Sequence, residues 1–283
     1  MSGKPFVLAV ASGKGGTGKS SVAASLLVTV DGLLGVDLDV EEPNLALLTG
    51  CEPVESSLVT LPVPVIDESL CTRCGTCVKE CRFAALNMFG DNPPMVNDLC
   101  HGCGVCSMVC PVNAITETER PIGEIRKCLG DRDILEGRLT PGMPNPVPVI
   151  EAAMDAALAR ETNIVADCPP GTSCPMVAGV HRADAVVLVT EPTPFGIADL
   201  ELALEVLSNL GKKGMVVINR SDLGGGDVHS MAKRFGMPVV AELPFSRHVA
   251  EAYADGRPPA TADPDWRNAM REIWSTLERN FSL

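Results

Sequence analysis

The octapeptide GKGGTGKS, Gly13 to Ser20, restricts what this chain can fold into more than any other stretch. It follows the short apolar run FVLAVA and precedes SVAASLLVTV, which reads as a helix. The pattern G-x-x-x-x-G-K-[ST] between a strand and a helix is a phosphate-binding loop. Its glycines let backbone N–H groups turn inward around phosphate oxygens, and the helix start aims its partial positive charge at the same point. Gly13, Lys14, Gly15, Gly16, Thr17, Gly18, Lys19, Ser20 and Ser21 are therefore candidate nucleotide contacts. Lys19 would reach the β- and γ-phosphates, and the Ser20 hydroxyl would bind Mg2+.

A loop of this kind needs a sheet, and the sequence supplies one. LLGVDLDV is a second apolar run with acids at its C-terminal end, and NIVADCPPG, AVVLVTEP, GMVVINRS and MPVVAELP follow later. Helical patterns over Val149 to Arg160, Ala198 to Leu210, Val228 to Phe235 and Asp265 to Asn280 separate most of them. This alternation predicts an α/β fold: a mostly parallel sheet with helices on both faces. From about residue 61 to 140 the rhythm breaks, with many Cys, Pro and Gly and no long periodic element. The expected organisation is one domain from 1–60 and 141–283 and a small insert at 61–140.

The insert carries CTRCGTCVKEC from Cys71 and CHGCGVCSMVC from Cys100, 29 residues later. Each copy is C-x2-C-x2-C-x3-C. Separate C-x2-C pairs would suit tetrahedral zinc, whereas three cysteines at successive spacings of three can wrap one face of a [4Fe–4S] cubane. The doubled run resembles two-cluster bacterial ferredoxins, in which the fourth thiolate comes from the other copy. That resemblance implies one cluster on Cys71, Cys74, Cys77 and Cys110, and a second on Cys100, Cys103, Cys106 and Cys81, in a small α+β insert. The second copy ends in the expected Cys-Pro, while the first ends Cys81-Arg82. Metal would supply much of the folding free energy of so small a segment.

KGGTGK, with its early Lys14, resembles the deviant phosphate loop of the MinD/Mrp ATPases and the nitrogenase iron protein. In that family the early lysine crosses to the partner subunit's nucleotide, so ATP holds a face-to-face dimer. The same resemblance places Asp37, Asp39 and Asn44 of DLDVEEPNL in a first switch, Asp39 handling the attacking water and Asp37 in the Mg2+ shell. VADCPPG then resembles the second switch, with Asp167 near Mg2+ through water and Gly171 near the γ-phosphate. Asn219 falls where the family contacts the base. The catalytic set implied is Lys14, Lys19, Asp39 and Asp167. NRSD, Asn219 to Asp222, is one Lys-to-Arg change from the guanine signature N-K-x-D, but the rest follows the ATPases, so ATP is expected over GTP.

A net charge of −13 argues against nucleic acid and anionic membrane surfaces as partners. KPFVLAVAS reads as a first strand rather than a signal peptide, and no apolar run reaches membrane-spanning length. Twelve cysteines then point to metal or redox chemistry in the cytoplasm, not to disulfides. Cys51 and Cys128 read as buried thiols. Cys174, seven residues after Asp167, matches the separation at which the nitrogenase iron protein ligates a bridging cluster, yet has no second matching Cys and reads rather as structural, like Cys168. The face formed by Trp266, Met270, Ile273, Trp274, Leu277 and Phe281 suits a helix packed on the sheet.

The expected partners are a second copy or a related ATPase, and a redox or metal-cofactor protein. Nucleotide-gated electron transfer or partner docking leads the functional expectations. A MinD-like positioning or cell-division switch and an iron–sulfur or metal-cofactor carrier stand beside it.

Overall fold

The structure, a computed structural model, describes residues 4–281. β1 (Val7–Ala11) runs into the phosphate loop and is followed by α1 (Lys19–Thr29), β2 (Leu34–Asp37) and the short α2 (Leu45–Thr49). β3 (Glu52–Ile66) leads out to a lobe containing α3 (Thr76–Glu80), β4 (Leu86–Asn87), β5 (Met95–Val96) and α4 (Val105–Met108). β6 (Ile115–Leu129) leads back, and β7 (Ile134–Leu139), α5 (Val147–Leu158), β8 (Ile164–Asp167) and α6 (Cys174–His181) follow. The remainder is β9 (Ala185–Thr190), α7 (Pro194–Asn209), β10 (Gly214–Asn219), α8 (Val228–Arg234), β11 (Val239–Leu243), α9 (Arg247–Ala254), α10 (Pro259–Ala262) and α11 (Pro264–Phe281).

The sheet has nine strands in the order β11-β10-β9-β1-β8-β2-β7-β6-β3. From β11 to β7 all neighbours are parallel, and β6 and β3 are added antiparallel at one edge. The central strands are continuous apolar runs because both faces are covered. Val7, Ala9 and Ala11 face a core completed by α5, α6, α7 and α8. Leu8 and Val10 face the other core, completed by α1, α2 and α11. Trp266, Met270, Ile273, Trp274 and Leu277 of α11 are buried there, and Phe281 meets Phe6 at 5.2 Å between ring centroids. No helix among the described residues is long and apolar enough to cross a membrane.

The interval expected to lack long elements instead holds most of a ribbon. β3 and β6, 15 residues each, pair from Glu52 with Leu129 to Ile66 with Ile115. β7 pairs with β6 only over Gly123 to Cys128, so the outer half of the ribbon stands as two strands. β3 thus runs through the boundary expected at residue 60, and β6 and β7 belong to the sheet. Pro53, Pro62 and Pro64 are tolerated because β3 is an edge strand, where a missing N–H breaks no ladder. Its Val59, Leu61 and Val63 are buried at alternate positions, the period-2 pattern of a half-covered strand.

Residues 67–114 hang from the ribbon's end, closed at the base by the Asp67 amide donating to the Ala114 carbonyl at 2.8 Å. The sequence duplication is repeated in the backbone. Positive φ occurs in matched pairs: Arg73 (59°) with Gly102 (64°), Gly75 with Gly104 (both 73°), and Ala84 (51°) with Asn113 (53°). Gly75 and Gly104 are the N-caps of α3 and α4, so each copy turns the same way into its one-turn helix.

Candidate functional site

The phosphate loop, β2, β8 and β10 meet at the C-terminal edge of the sheet, where open α/β folds bind ligands. They border a cavity of ≈ 480 Å3 lined by Gly15, Gly16, Lys19, Ser20, Asp39 and Asn44 on one side. Arg220, Phe245, Val249 and Tyr253 line the other side. Gly18, at φ 94°, is the N-cap of α1, and no side chain caps that helix. Its first N–H groups are therefore available to an anion.

Lys19 is buried among carboxylates. Its Nζ lies 2.8 Å from Asp39 Oδ2 and 3.4 Å from Asp167 Oδ1, with Ser20 Oγ at 3.5 Å. Burial opposes its charge, but Asp167, Asp39 and Asp37 outweigh that and hold the ammonium above its ordinary pKa. Asp37 and Asp167 are fully buried, and burial raises both carboxyls above the usual range. Their mutual repulsion adds to the rise at Asp37. Asp37 accepts from the amides of Asp39 (3.0 Å), Asn44 (2.8 Å) and Leu45 (2.8 Å), so it holds the switch segment and the start of α2.

Thr17 Oγ1, Asn44 Oδ1 and Asp167 Oδ2 are buried without a hydrogen-bond partner. Each such group costs about 1–3 kcal/mol, and a concentration of them at one place fits a ligand that would satisfy them. The donor set also fits a hard cation: a free carboxylate oxygen on Asp167 beside the Ser20 hydroxyl. Gly171, at φ 95°, donates its amide to Ser12 O at 2.9 Å, joining the second switch to the loop.

Asn219, expected at the base, donates its side-chain amide to Thr17 O at 2.8 Å and so braces the phosphate loop. A Cβ at Gly18 would collide with that amide. Asp222 Oδ1 accepts from the Phe245 amide at 2.7 Å. Lys14 rests 3.8 Å from Glu191 of its own subunit. Sequence reasoning missed Glu191 and Arg220, which form an ion pair at 2.6 Å. The one available signal was an acid placed directly after the apolar run of β9.

The eight repeat cysteines surround two separate small cavities. Cys71, Cys74, Cys77 and Cys110 line one, and Cys81, Cys100, Cys103 and Cys106 line the other. Each cavity thus takes three cysteines from one copy and one from the other. The amides of Ala85 and Ala114 donate to Cys81 Sγ (3.3 Å) and Cys110 Sγ (3.2 Å), again at matched positions. Thr76 beside Cys74 lowers that thiol's pKa, whereas burial raises those of Cys77 and Cys106. Among the described residues no three His, Cys, Asp or Glu side chains close into a cage for a single ion. Four thiols around one cavity are a donor set that fits a [4Fe–4S] cluster. Cys51, Cys128 and Cys168 are buried, and Cys174 is exposed at the start of α6.

Comparison with known proteins agrees with the sheet and its loop. Residues 8–259 match the model of the CobQ/CobB/MinD/ParA nucleotide binding domain. An uncharacterized protein of Methanocaldococcus jannaschii is 32% identical over 276 residues, covering 95% of this chain and 96% of the relative. An iron-sulfur cluster carrier protein of Pseudomonas fragi is 22% identical, covering 92% of this chain and 79% of the carrier. The septum site-determining protein MinD of Pyrococcus horikoshii, solved with Mg-ADP, superposes with a TM-score of 0.58 at 17% identity, over 97% of this chain and 96% of that one. The chain belongs to the CobQ/CobB/MinD/ParA nucleotide-binding domain family.

Proposed function

We propose that the chain is a Mg2+-dependent ATPase in which ATP-driven pairing of two subunits gates electron transfer, or docking of a redox or metal-cofactor protein, through two [4Fe–4S] clusters. The observation that carries this reading is the crossed distribution of thiols over two cavities, at the end of a ribbon continuous with the nucleotide-site sheet. Cys71, Cys74, Cys77 and Cys110 would hold one cluster and Cys81, Cys100, Cys103 and Cys106 the other, in a ferredoxin-like insert within residues 61–140. The clusters, when bound, supply one-electron redox chemistry.

The chain's own residues bind and orient the nucleotide. Residues 13–21 would wrap the phosphates, with Gly171 near the γ-phosphate. Ser20 and, through water, Asp167 would hold Mg2+, while Asp37 fixes the segment that carries Asp39. Asp39 orients a water whose oxygen bonds to the γ-phosphorus as the bond to the bridging oxygen breaks, giving ADP, inorganic phosphate and a proton released to solvent. Lys19 and the partner subunit's Lys14 neutralise the charge that develops. Asn219 supports this from beneath the loop. ATP is favoured over GTP because the phosphate loop and both switch segments follow the ATPase pattern; one oxygen of Asp222, the acid of the guanine-like signature, is also engaged by the Phe245 amide. A cytoplasmic setting would keep the thiols reduced.

Carriage of clusters to other proteins is a second reading, favoured by the name of the Pseudomonas fragi relative. A MinD-like switch is a third, favoured by the fold. One experiment separates the first from both. Anaerobically purified protein is assayed for iron and sulfide, and cluster oxidation by methyl viologen is followed with ATP and with ADP. A nucleotide-dependent rate that disappears in Lys14→Ala supports gating. Rates indifferent to nucleotide reject it.

A further inference from the structure

Glu191 follows β9 and faces two cations from within the protein. Its side chain is 8% exposed, with Oε1 2.6 Å from Arg220 Nη1 and Oε2 3.8 Å from Lys14 Nζ. The backbone here has no slack. A Cβ at Gly196 in the first turn of α7 would strike the Glu191 carbonyl, and Thr190 Oγ1 donates to Gly196 O at 3.0 Å. Arg220 is held at φ 50° and ψ 47°, left-handed geometry that few side chains adopt, directly after the Asn219 that braces the loop.

The two cations are not equivalent. Arg220 is within hydrogen-bonding distance, a charge-assisted contact. Lys14 lies beyond that distance and is held by charge alone. A buried carboxylate stripped of its last cation is strongly destabilised. With Arg220 in place, Glu191 can release Lys14 and remain paired.

We propose that Glu191 is a positioning residue that retains Lys14 on its own subunit until bound nucleotide on a second copy draws it away, Arg220 being the cation that stays. This rests on the reading of Lys14 as a lysine that acts across the dimer. Glu191 thereby sets how much nucleotide is needed to close two subunits, and Arg220 sets how firmly Glu191 must hold Lys14.

The test uses the full chain with its clusters, Mg2+ and a non-hydrolysable ATP analogue, following the dimer fraction by analytical ultracentrifugation. Nucleotide affinity of the monomer is measured separately at protein concentrations too low for pairing. Glu191→Gln is expected to lower the analogue concentration for half-maximal dimer about tenfold, within the usual range of coupling between sites. Arg220→Gln is expected to raise it, because Glu191 then depends on Lys14. A merely structural role would move both variants the same way. Should Glu191→Gln fail to fold, the upward shift in Arg220→Gln carries the test, and its absence overturns the proposal. Loss of dimer in Lys14→Ala with an unshifted Glu191→Gln curve overturns the latch alone. Normal dimer in Lys14→Ala overturns the cross-dimer reading and the latch with it.

Discussion

Asn219 donates its side-chain amide to the carbonyl oxygen of Thr17 at 2.8 Å, across 202 positions of sequence, and ties the end of β10 to the phosphate loop. The same amide fills the space a Cβ on Gly18 would need, so the loop's tight turn and its brace are one arrangement.

Asn219→Ala should therefore weaken nucleotide binding without touching a phosphate. It leaves the Thr17 carbonyl without this partner, a loss of about 1–3 kcal/mol when the group is buried. Nucleotide affinity is expected to fall about tenfold, and the thermal midpoint of the protein without nucleotide should fall with it. Titration with a fluorescent nucleotide and a thermal melt read the two effects. An unchanged affinity would show that the loop holds its shape unaided.

The buried carboxylates make a prediction about pH. Burial raises Asp37 and Asp167 above their ordinary value of 3.8. Between 3.8 and the raised folded values, the folded protein keeps protons that the unfolded chain has released. Stability therefore falls as pH rises through that window. Asp167→Asn removes one buried acid and its repulsion of Asp37, while Lys19 keeps Asp39. The variant is expected to melt higher than the parent at about pH 8, with the gap closing as pH falls toward 4, and to lose Mg2+-dependent hydrolysis. A gap that does not change with pH would contradict the repulsion.

What could be read in the sequence was what lies close together along the chain. The phosphate loop, the acids at Asp37, Asp39 and Asp167, and the apolar face of α11 are all set by neighbouring residues. The ribbon was not legible, because Pro53, Pro62 and Pro64 punctuate β3 and the start of β6 reads ITETER, a polar run with little apolar alternation. Only pairing at an open edge makes them strands. The Glu191–Arg220 pair was hidden for another reason: Arg220 stood out only as the altered lysine of a guanine-like signature, and nothing local shows that the fold sets it against an acid 29 residues earlier. Asn219 was singled out in the sequence as a base contact, but its hold on Thr17 depends on β10 reaching the loop through the packed sheet.

The crossed thiol sets can be tested by pairs of substitutions. Cys71→Ala with Cys110→Ala should remove one cluster and about half of the iron and sulfide, because both residues line the same cavity. Cys71→Ala with Cys81→Ala strikes both cavities and should remove nearly all of it. Ligation of each cluster by a single copy of the repeat predicts the reverse pattern. Iron and acid-labile sulfide measured per chain decide between them.

Removing the clusters should melt the lobe and spare the sheet. Its two small apolar groups centre on Val63, Ala85 and Cys100, and on Cys77, Leu86 and Ile115, with four of these six side chains on the ribbon or among the proposed cluster ligands. Ordering the backbone costs about 1–2 kcal/mol per residue, so a core this small falls well short for the segment from 67 to 114. The large apolar clusters on the two faces of the sheet owe nothing to the lobe's interior. Protein stripped of iron by chelation under oxidising conditions should therefore be cut by trypsin at Arg73, Lys79 and Arg82, all within the lobe, while Mg2+ and nucleotide still raise the melting temperature of the rest. The cluster-loaded protein should resist cleavage at those sites. Equal resistance with and without iron would mean that the ribbon and its two short helices order the lobe by themselves, and that the thiols add binding capacity rather than structure.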